Sequence, residues 1–294
     1  RKLADLIRSV PEDTVLTFEL IENQLEISAL KFQADFSTLP VGDFPVTEIQ
    51  EFEREVALPG KELSDLIEKT SFAMASQDVR YYLNGILLEV SPSQINVVAT
   101  DGHRLAWSSC KIKTDFTDEK IIIPRKSALE LQKLLNLYPE NVNIAFNSNQ
   151  LKVFSDEYTF ISKLIEGSYP DYEKVFPKGT EQKLKANKSL VQTALNRAAV
   201  LSNEKYRGVK FILEKDNLKI CANNPSKESA EEEVLVEYSG DSFEIGFNIS
   251  YVQESLSAIS NNEVEFVFFG SENSCLVKNI DDESLIHVIM PMRL

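Results

Sequence analysis

Histidine and cysteine are nearly missing from this chain: 294 residues hold two His and three Cys. With only His103 and His287, a histidine-based metal site has too few ligands. Cys110, Cys221 and Cys275 lie far apart and form no CxxC pair, so neither a disulfide framework nor a zinc site is expected, and a reducing cytoplasm fits. No run of 18 apolar residues occurs, so no spanning helix is expected, and no charged-then-apolar leader opens the chain. Catalytic signatures are missing too. There is no GxxxxGKS/T phosphate loop, GxSxG elbow, HExxH pair or Gly-rich dinucleotide fingerprint. No cofactor and no catalytic residue is therefore assigned. Asp101 and His103 are acid–base groups by type but have no nucleophile in a partner motif.

Acid is in excess, with 46 Asp and Glu against 31 Lys and Arg, a formal charge of −15. Such a surface opposes general adhesion to nucleic acid, which needs cations to neutralise phosphate. The run Glu231-Glu232-Glu233 suggests a pair of metal-binding carboxylates, but successive strand residues point to opposite faces and spoil a shared site.

What the chain does have is repetition. Stretches beginning at Arg1, Pro124 and Ile249 each read as a polar start, an amphipathic helix, a strand, a turn and another strand, and each then reaches a proline: Pro45, Pro170 and Pro291. A second unit, a short strand and a helix, opens at Ala57 and again at Leu184. In its second copy the helix is expected over 189–201, with Leu190, Val191, Ala194, Leu195, Ala198 and Ala199 forming the core stripe. Helices come singly between runs of strands, so the class is α+β. The repeats suggest a half-domain at 1–52 and full domains at 53–172 and 173–294, with junctions near 45–53 and 170–178.

The stretch from Asp78 to Trp107 organises the rest. Arg80, Tyr81 and Tyr82 open it, the β-rich ILLEV and INVVAT follow, and Asp101-Gly102 predicts a type I′ hairpin with positive φ at both central residues. RYYLNG, ATDGHRLA and the terminal VIMPMRL, with PRKSALEL, SKLIEGSYPDY, LSNEKYRGV and NNPSKESAEEEV between them, resemble in order the family of the bacterial DNA polymerase III β subunit, the sliding clamps. The resemblance runs through the whole chain, with Arg1 falling in what resembles the middle of the family's first domain.

The resemblance implies repeated β-α-β-β-β units, with helices lining a ring and antiparallel sheets outside. It implies a processivity factor that tethers the replicative polymerase, encircling double-stranded DNA without sequence readout. It also implies a bacterial cytoplasmic, nucleoid-associated location and no membrane partner. An acidic ring escapes the charge objection because it encloses DNA rather than gripping it. Carried over by position, a groove for short linear peptides would comprise Arg80, Tyr82, Leu83, Thr100, Gly102, His103, Arg104 and Leu105, with Pro170 and Val175 at the junction. Asn248, Tyr251, Ser274, Val288, Ile289, Met290, Pro291, Met292 and Arg293 would complete it. Flexible methionines suit a surface that accepts several partners. The partners implied are the polymerase III α subunit, the clamp loader δ subunit, other polymerases and mismatch-repair proteins.

DNA would face Arg1, Lys2, Gln77, Tyr81, Arg125, Lys126, Lys188 and Arg197. Ring closure would be a head-to-tail homodimer, the edge Lys31, Phe32 to Phe36 meeting Glu231, Glu232 to Leu235, with Phe36 on Val200 and Leu201. Two other classes compete: a metal-dependent nuclease or phosphodiesterase, and a cytosolic peptide scaffold that never meets DNA.

Overall fold

A computed structural model describes residues 1–44, 51–52, 54–114, 118–280 and 282–294. Pro45 and most of the expected junction at 45–53 lie outside the described residues. The chain divides into two compact units, Arg1–Gln50 and Glu51–Leu294.

The first unit is a helix, α1 (Lys2–Ser9), and a meander of β1 (Thr17–Ile21), β2 (Gln24–Ala29) and β3 (Phe32–Ser37). Of its described apolar side chains only Ile27 and Ala29 are buried. A meander with so little core is marginal alone.

The second unit repeats one pattern four times. The first two copies are β4 (Arg54–Pro59), α2 (Gly60–Ser71), β5 (Gly85–Val90), β6 (Gln94–Thr100), β7 (Arg104–Lys111), then β8 (Glu119–Pro124), α3 (Arg125–Leu137), β9 (Asn141–Phe146), β10 (Gln150–Phe154), β11 (Thr159–Lys163). The third is β12 (Gln182–Asn187), α4 (Lys188–Val200), β13 (Gly208–Glu214), β14 (Asn217–Asn223), β15 (Ser229–Leu235), with a short β16 (Glu237–Tyr238). The fourth is β17 (Phe243–Asn248), α5 (Ile249–Ser257), β18 (Glu263–Phe268), β19 (Cys275–Asn279), β20 (Leu285–Ile289).

Each copy hands its first strand to its neighbour: β4 pairs with β9, β8 with β5, β12 with β18 and β17 with β13, all antiparallel. Two repeats are thereby stitched into one body, and α2 packs on α3 as α4 packs on α5. The implied α+β class and β-α-β-β-β unit are what the chain adopts. A final pairing, β20 on β7, fuses the inner sheets into one of nine strands, β16-β12-β18-β19-β20-β7-β6-β5-β8.

Helix faces follow the apolar spacing. Leu63, Leu66, Ile67 and Thr70 of α2 are buried with Ala128, Leu131 and Leu135 of α3, and each large aliphatic side chain so buried contributes roughly 1.5–3 kcal/mol. In α4 the buried set is Val191, Ala194, Leu195 and Ala198. Leu190 departs from the expected stripe: it is 56% exposed, because at about 100° per residue it falls to one side of the face set by Val191, Ala194, Leu195 and Ala198.

Close strand packing fixes one glycine. A Cβ on Gly85 would stand 2.4 Å from the Ile123 carbonyl oxygen, a backbone atom on β8 that cannot swing aside. Gly85→Ala should therefore destabilise by about 2 kcal/mol or more in chemical denaturation. Gly42→Ala, with nothing within 4 Å, should leave the midpoint unmoved.

Candidate functional site

The loop joining β6 to β7 sets the site. Pairing resumes at Thr100 and Leu105, so four residues intervene. Only Gly102 has positive φ there, at 89°, which corrects the expected type I′ turn. The reason is local. The Asp101 carboxylate accepts from the N–H of His103 at 2.9 Å and of Arg104 at 3.1 Å, and the Thr100 hydroxyl accepts from Gly102 N–H while donating to the Arg104 carbonyl. Side chains, not a two-residue turn, close the loop. Arg80 lies against Gly102 and donates to the Asp101 carbonyl at 3.1 Å. Its guanidinium also hydrogen-bonds Asp78, whose carboxyl is pulled down to about 2.

Arg104 is the centre of a polar knot. Its buried guanidinium meets Asp101 at 3.0 Å, donates to the Phe72 carbonyl at 2.8 Å and pairs with Glu254 of α5. It also sits over the rings of Tyr251 at 4.4 Å and Phe72 at 5.3 Å. Beneath it His287 of β20 packs edge-on against Phe72, with centroids 5.1 Å apart, and its Nε2 meets the Lys69 carbonyl at 3.1 Å. His287 is fully buried, and burial pushes its pKa down to about 4. The knot thus joins the end of α2, β7, α5 and β20.

An apolar patch covers one face of the sheet where β7 meets β20. Leu87, Val98, Leu105, Ile122 and Val288 form its floor, with Tyr82, Trp107, Ile165, Tyr169, Tyr172, Val175, Phe176 and Leu276 around them. Tyr82, Leu105, Val175 and Val288 were expected together and are. Ile289 is not with them: neighbouring strand residues face opposite ways, and it enters the other core beside Leu285. Leu83 is buried outside the patch. Thr100 serves the turn, and Asn248 caps α5 by accepting from Ser250 N–H at 2.9 Å. His103, Arg80, Arg104 and Tyr251 gather in a polar cleft of about 690 Å³ with Gln77, Arg125 and Glu254, and Gly102 sits against the Arg80 guanidinium. Pro170 is exposed and Ser274 half-buried.

The chain end is tied down. Met290 N–H donates to the His103 carbonyl at 3.0 Å and Met292 N–H to the Gly246 carbonyl at 2.9 Å. Gly208 and Gly246 leave room for Leu294, and Pro291, Met292 and Arg293 line a cleft with Lys210 and Glu244. Sequence reasoning missed Trp107, Tyr169, Tyr172, Phe176 and Leu276. Leu105 came from the resemblance, and strand alternation, which puts Trp107 on the same face of β7, is the signal that would have added it.

The expected cations are less free than their spacing suggested. Arg197 makes two 2.6 Å hydrogen bonds to Glu232, Lys188 donates to the Ile259 carbonyl at 2.6 Å, and Arg125 donates to the Met74 carbonyl at 3.1 Å. Lys126, Lys2 and Gln77 are exposed, Arg1 stands 3.8 Å from Asp5, and Tyr81 is exposed beside Tyr82. Of the expected interface residues, Lys31, Phe32, Val200 and Glu231 are exposed and Phe36, Leu201 and Glu232 half-buried; Lys219 pairs with Glu231. β3 and β15 are edge strands of their sheets.

Comparison with known proteins agrees in one direction. Residues 57–171 match the family profile of the DNA polymerase III beta subunit central domain, and 173–293 that of its C-terminal domain. The chain is 43% identical to the beta sliding clamp of Pseudomonas aeruginosa, covering all of this chain and 80% of the relative. It is 40% identical to that of Escherichia coli K12, with the same coverage. A crystal structure of the P. aeruginosa DNA polymerase sliding clamp with ligand superposes at a TM-score of 0.95, over all of this chain and 81% of that one. A clamp from Bartonella birtlesii bound to griselimycin, 31% identical, gives 0.94, covering 100% of this chain and 80% of that one. None of these lends support to the nuclease or DNA-free scaffold alternatives.

The His287 environment makes stability depend on pH. A His whose folded pKa lies below its unfolded value stabilises fully above the unfolded value, about 6.5, and loses that contribution as pH falls towards the folded value. Between about pH 7.5 and pH 4, urea denaturation should show up to about 3 kcal/mol of loss from this group. His287→Phe, which keeps an aromatic edge against Phe72, should shrink that loss. An unchanged pH profile in the variant would place the titration elsewhere.

Proposed function

Because the chain belongs to the DNA polymerase III β-subunit family, the sliding clamps, we propose that its β7–β20 seam is the groove that receives clamp-binding peptides. The chain is a DNA sliding clamp, a non-catalytic processivity factor of replication whose family works as a ring dimer around DNA with polymerase as partner. The observation that carries the groove is the pairing of Val288 with Leu105 on one sheet face, flanked by Tyr82 and Val175. Apolar floor, aromatic walls and a polar cleft alongside are what a short linear peptide needs: a pocket for its anchors and groups to orient its backbone. Met290, whose N–H is held by the His103 carbonyl, borders this seam on the tied-down tail, Met292 follows it toward β17, and flexible methionines suit several occupants.

The same reading takes the polymerase III α subunit, the clamp loader δ subunit, other polymerases and mismatch-repair proteins as occupants. It places double-stranded DNA against Gln77, Tyr81, Arg125, Lys126, Lys188 and Arg197, with Arg1 and Lys2 completing the wall, and nucleoid association follows from encirclement. Contacts there are to phosphate and blind to sequence. Clamp domains are taken as 53–172 and 173–294, with 1–52 the second half of a further one. The ring closes head to tail, β3 with Lys31, Phe32 and Phe36 meeting β15 with Glu231 and Glu232, near Val200 and Leu201.

Calorimetry with a polymerase-derived clamp-binding peptide tests the groove. Tyr82→Ala and Met290→Ala should each weaken binding by about 2 kcal/mol, roughly 30-fold. Removing residues 290–294 should abolish it with the fold intact. Unchanged affinity across all three would put the groove elsewhere.

Ring closure rests on a unit with little core, so its edge is a soft partner. Light scattering should find residues 1–294 mostly monomeric at micromolar concentration. A stable dimer there, indifferent to Leu201→Asp, would move the interface away from α4 and β15.

A further inference from the structure

Two roles meet at one ion pair. Arg197 lies on α4, among the helices taken to face DNA, and its guanidinium forks onto both carboxylate oxygens of Glu232 at 2.6 Å. Glu232 belongs to β15, the free edge of the sheet β15-β14-β13-β17. Its neighbours face the other way: Glu231 reaches Lys219 on the outer side, and Val234, in step with Glu232, is buried under α4. A single carboxylate of this acidic edge therefore reaches the helix layer, and it covers a cation there. The pair is half in water, with side chains 58% and 22% exposed. Exposed pairs of this kind contribute little net stability and exchange readily for an equivalent partner.

We propose that Glu232 masks Arg197 from phosphate in the open chain, and that pairing of the β15 edge with a second copy competes for Glu232 and releases Arg197 to DNA. The proposal rests on the reading of α4 as a DNA-facing helix and of β15 as the closing edge. What it adds is a coupling between them. An open clamp carries a neutralised Arg197 on α4, while a closed ring, with Glu232 drawn to a cation such as Lys31 of the second copy, presents one more positive charge per protomer to the duplex. By linkage, DNA then favours closure to the degree that closure favours DNA.

The experiment measures binding of a fluorescent DNA duplex by anisotropy across a salt titration, with melting curves confirming the fold of each variant. Glu232→Gln should raise duplex affinity several-fold at low salt and steepen the salt slope by about one unit, the signature of one added phosphate contact. Glu214→Gln removes the same charge from the exposed end of β13, on the face away from α4, and should change little. The gain should vanish in Glu232→Gln/Arg197→Ala. In sedimentation velocity, duplex should increase self-association of the unaltered chain and not of Arg197→Ala. No gain with Glu232→Gln, an equal gain with Glu214→Gln, or no DNA-dependent association in the unaltered chain would overturn the mask. If Arg197→Ala is without effect in both backgrounds, the reading of α4 as a phosphate-facing helix fails with it.

Discussion

Everything distinctive about this molecule depends on one antiparallel contact, β20 against β7. Without it the second unit would be two bodies, each made of two interlocked repeats. With it, the last strand of the chain becomes an interior strand of a nine-stranded sheet. Register matters as much as pairing. A slip of one residue would exchange Val288 for Ile289 on the face of the apolar patch and put His287 into it as well. Two features beyond the ladder resist such a slip: the Met290 N–H bonded to the His103 carbonyl, and the fit of His287 between the Lys69 carbonyl and Phe72.

The charge distribution suits a protein that holds DNA without gripping it. Cations on the helices are largely engaged, Arg197 by Glu232, Lys188 by a carbonyl at the end of α5, Arg125 by another after α2. Exposed side chains such as Lys126 offer more accessible charge. Many strong phosphate contacts would make binding tight and steeply salt-dependent. On the proposed reading of these helices as DNA-facing, tethered cations in an acidic chain keep the attraction shallow, and retention then falls to topology.

The repeat architecture was legible because each β-α-β-β-β unit carries its own periodicity: apolar residues at helical spacing, then alternating strands. Tyr82, Leu105 and Val288 were reached by resemblance, and strand alternation explains why Ile289 could not join them. What stayed hidden was whatever depends on pairs remote in the chain. The exchange of first strands between repeats leaves no local trace, and the knot joins Arg104 to Glu254 across 150 residues and His287 to Lys69 across 218. The Asp101-Gly102 turn failed for the opposite reason. Its chemistry is entirely local, but the Asp101 and Thr100 side chains outcompete the dipeptide preference that flags a two-residue hairpin.

The knot itself is weak grounds for stability. Burying an arginine with carboxylates and a neutral histidine costs desolvation that hydrophobic residues of equal volume would avoid. What such a cluster can supply is geometry. A guanidinium held by Asp101, the Phe72 carbonyl and Glu254, and flanked by two rings, has one position relative to β7 and α5, whereas aliphatic packing would tolerate several. That position fixes His103 and the tail that hydrogen-bonds to it, and through them the margin of the apolar patch. The polar groups therefore sit where two repeats must meet at one angle, and the apolar residues beside them, free of that duty, form one continuous patch.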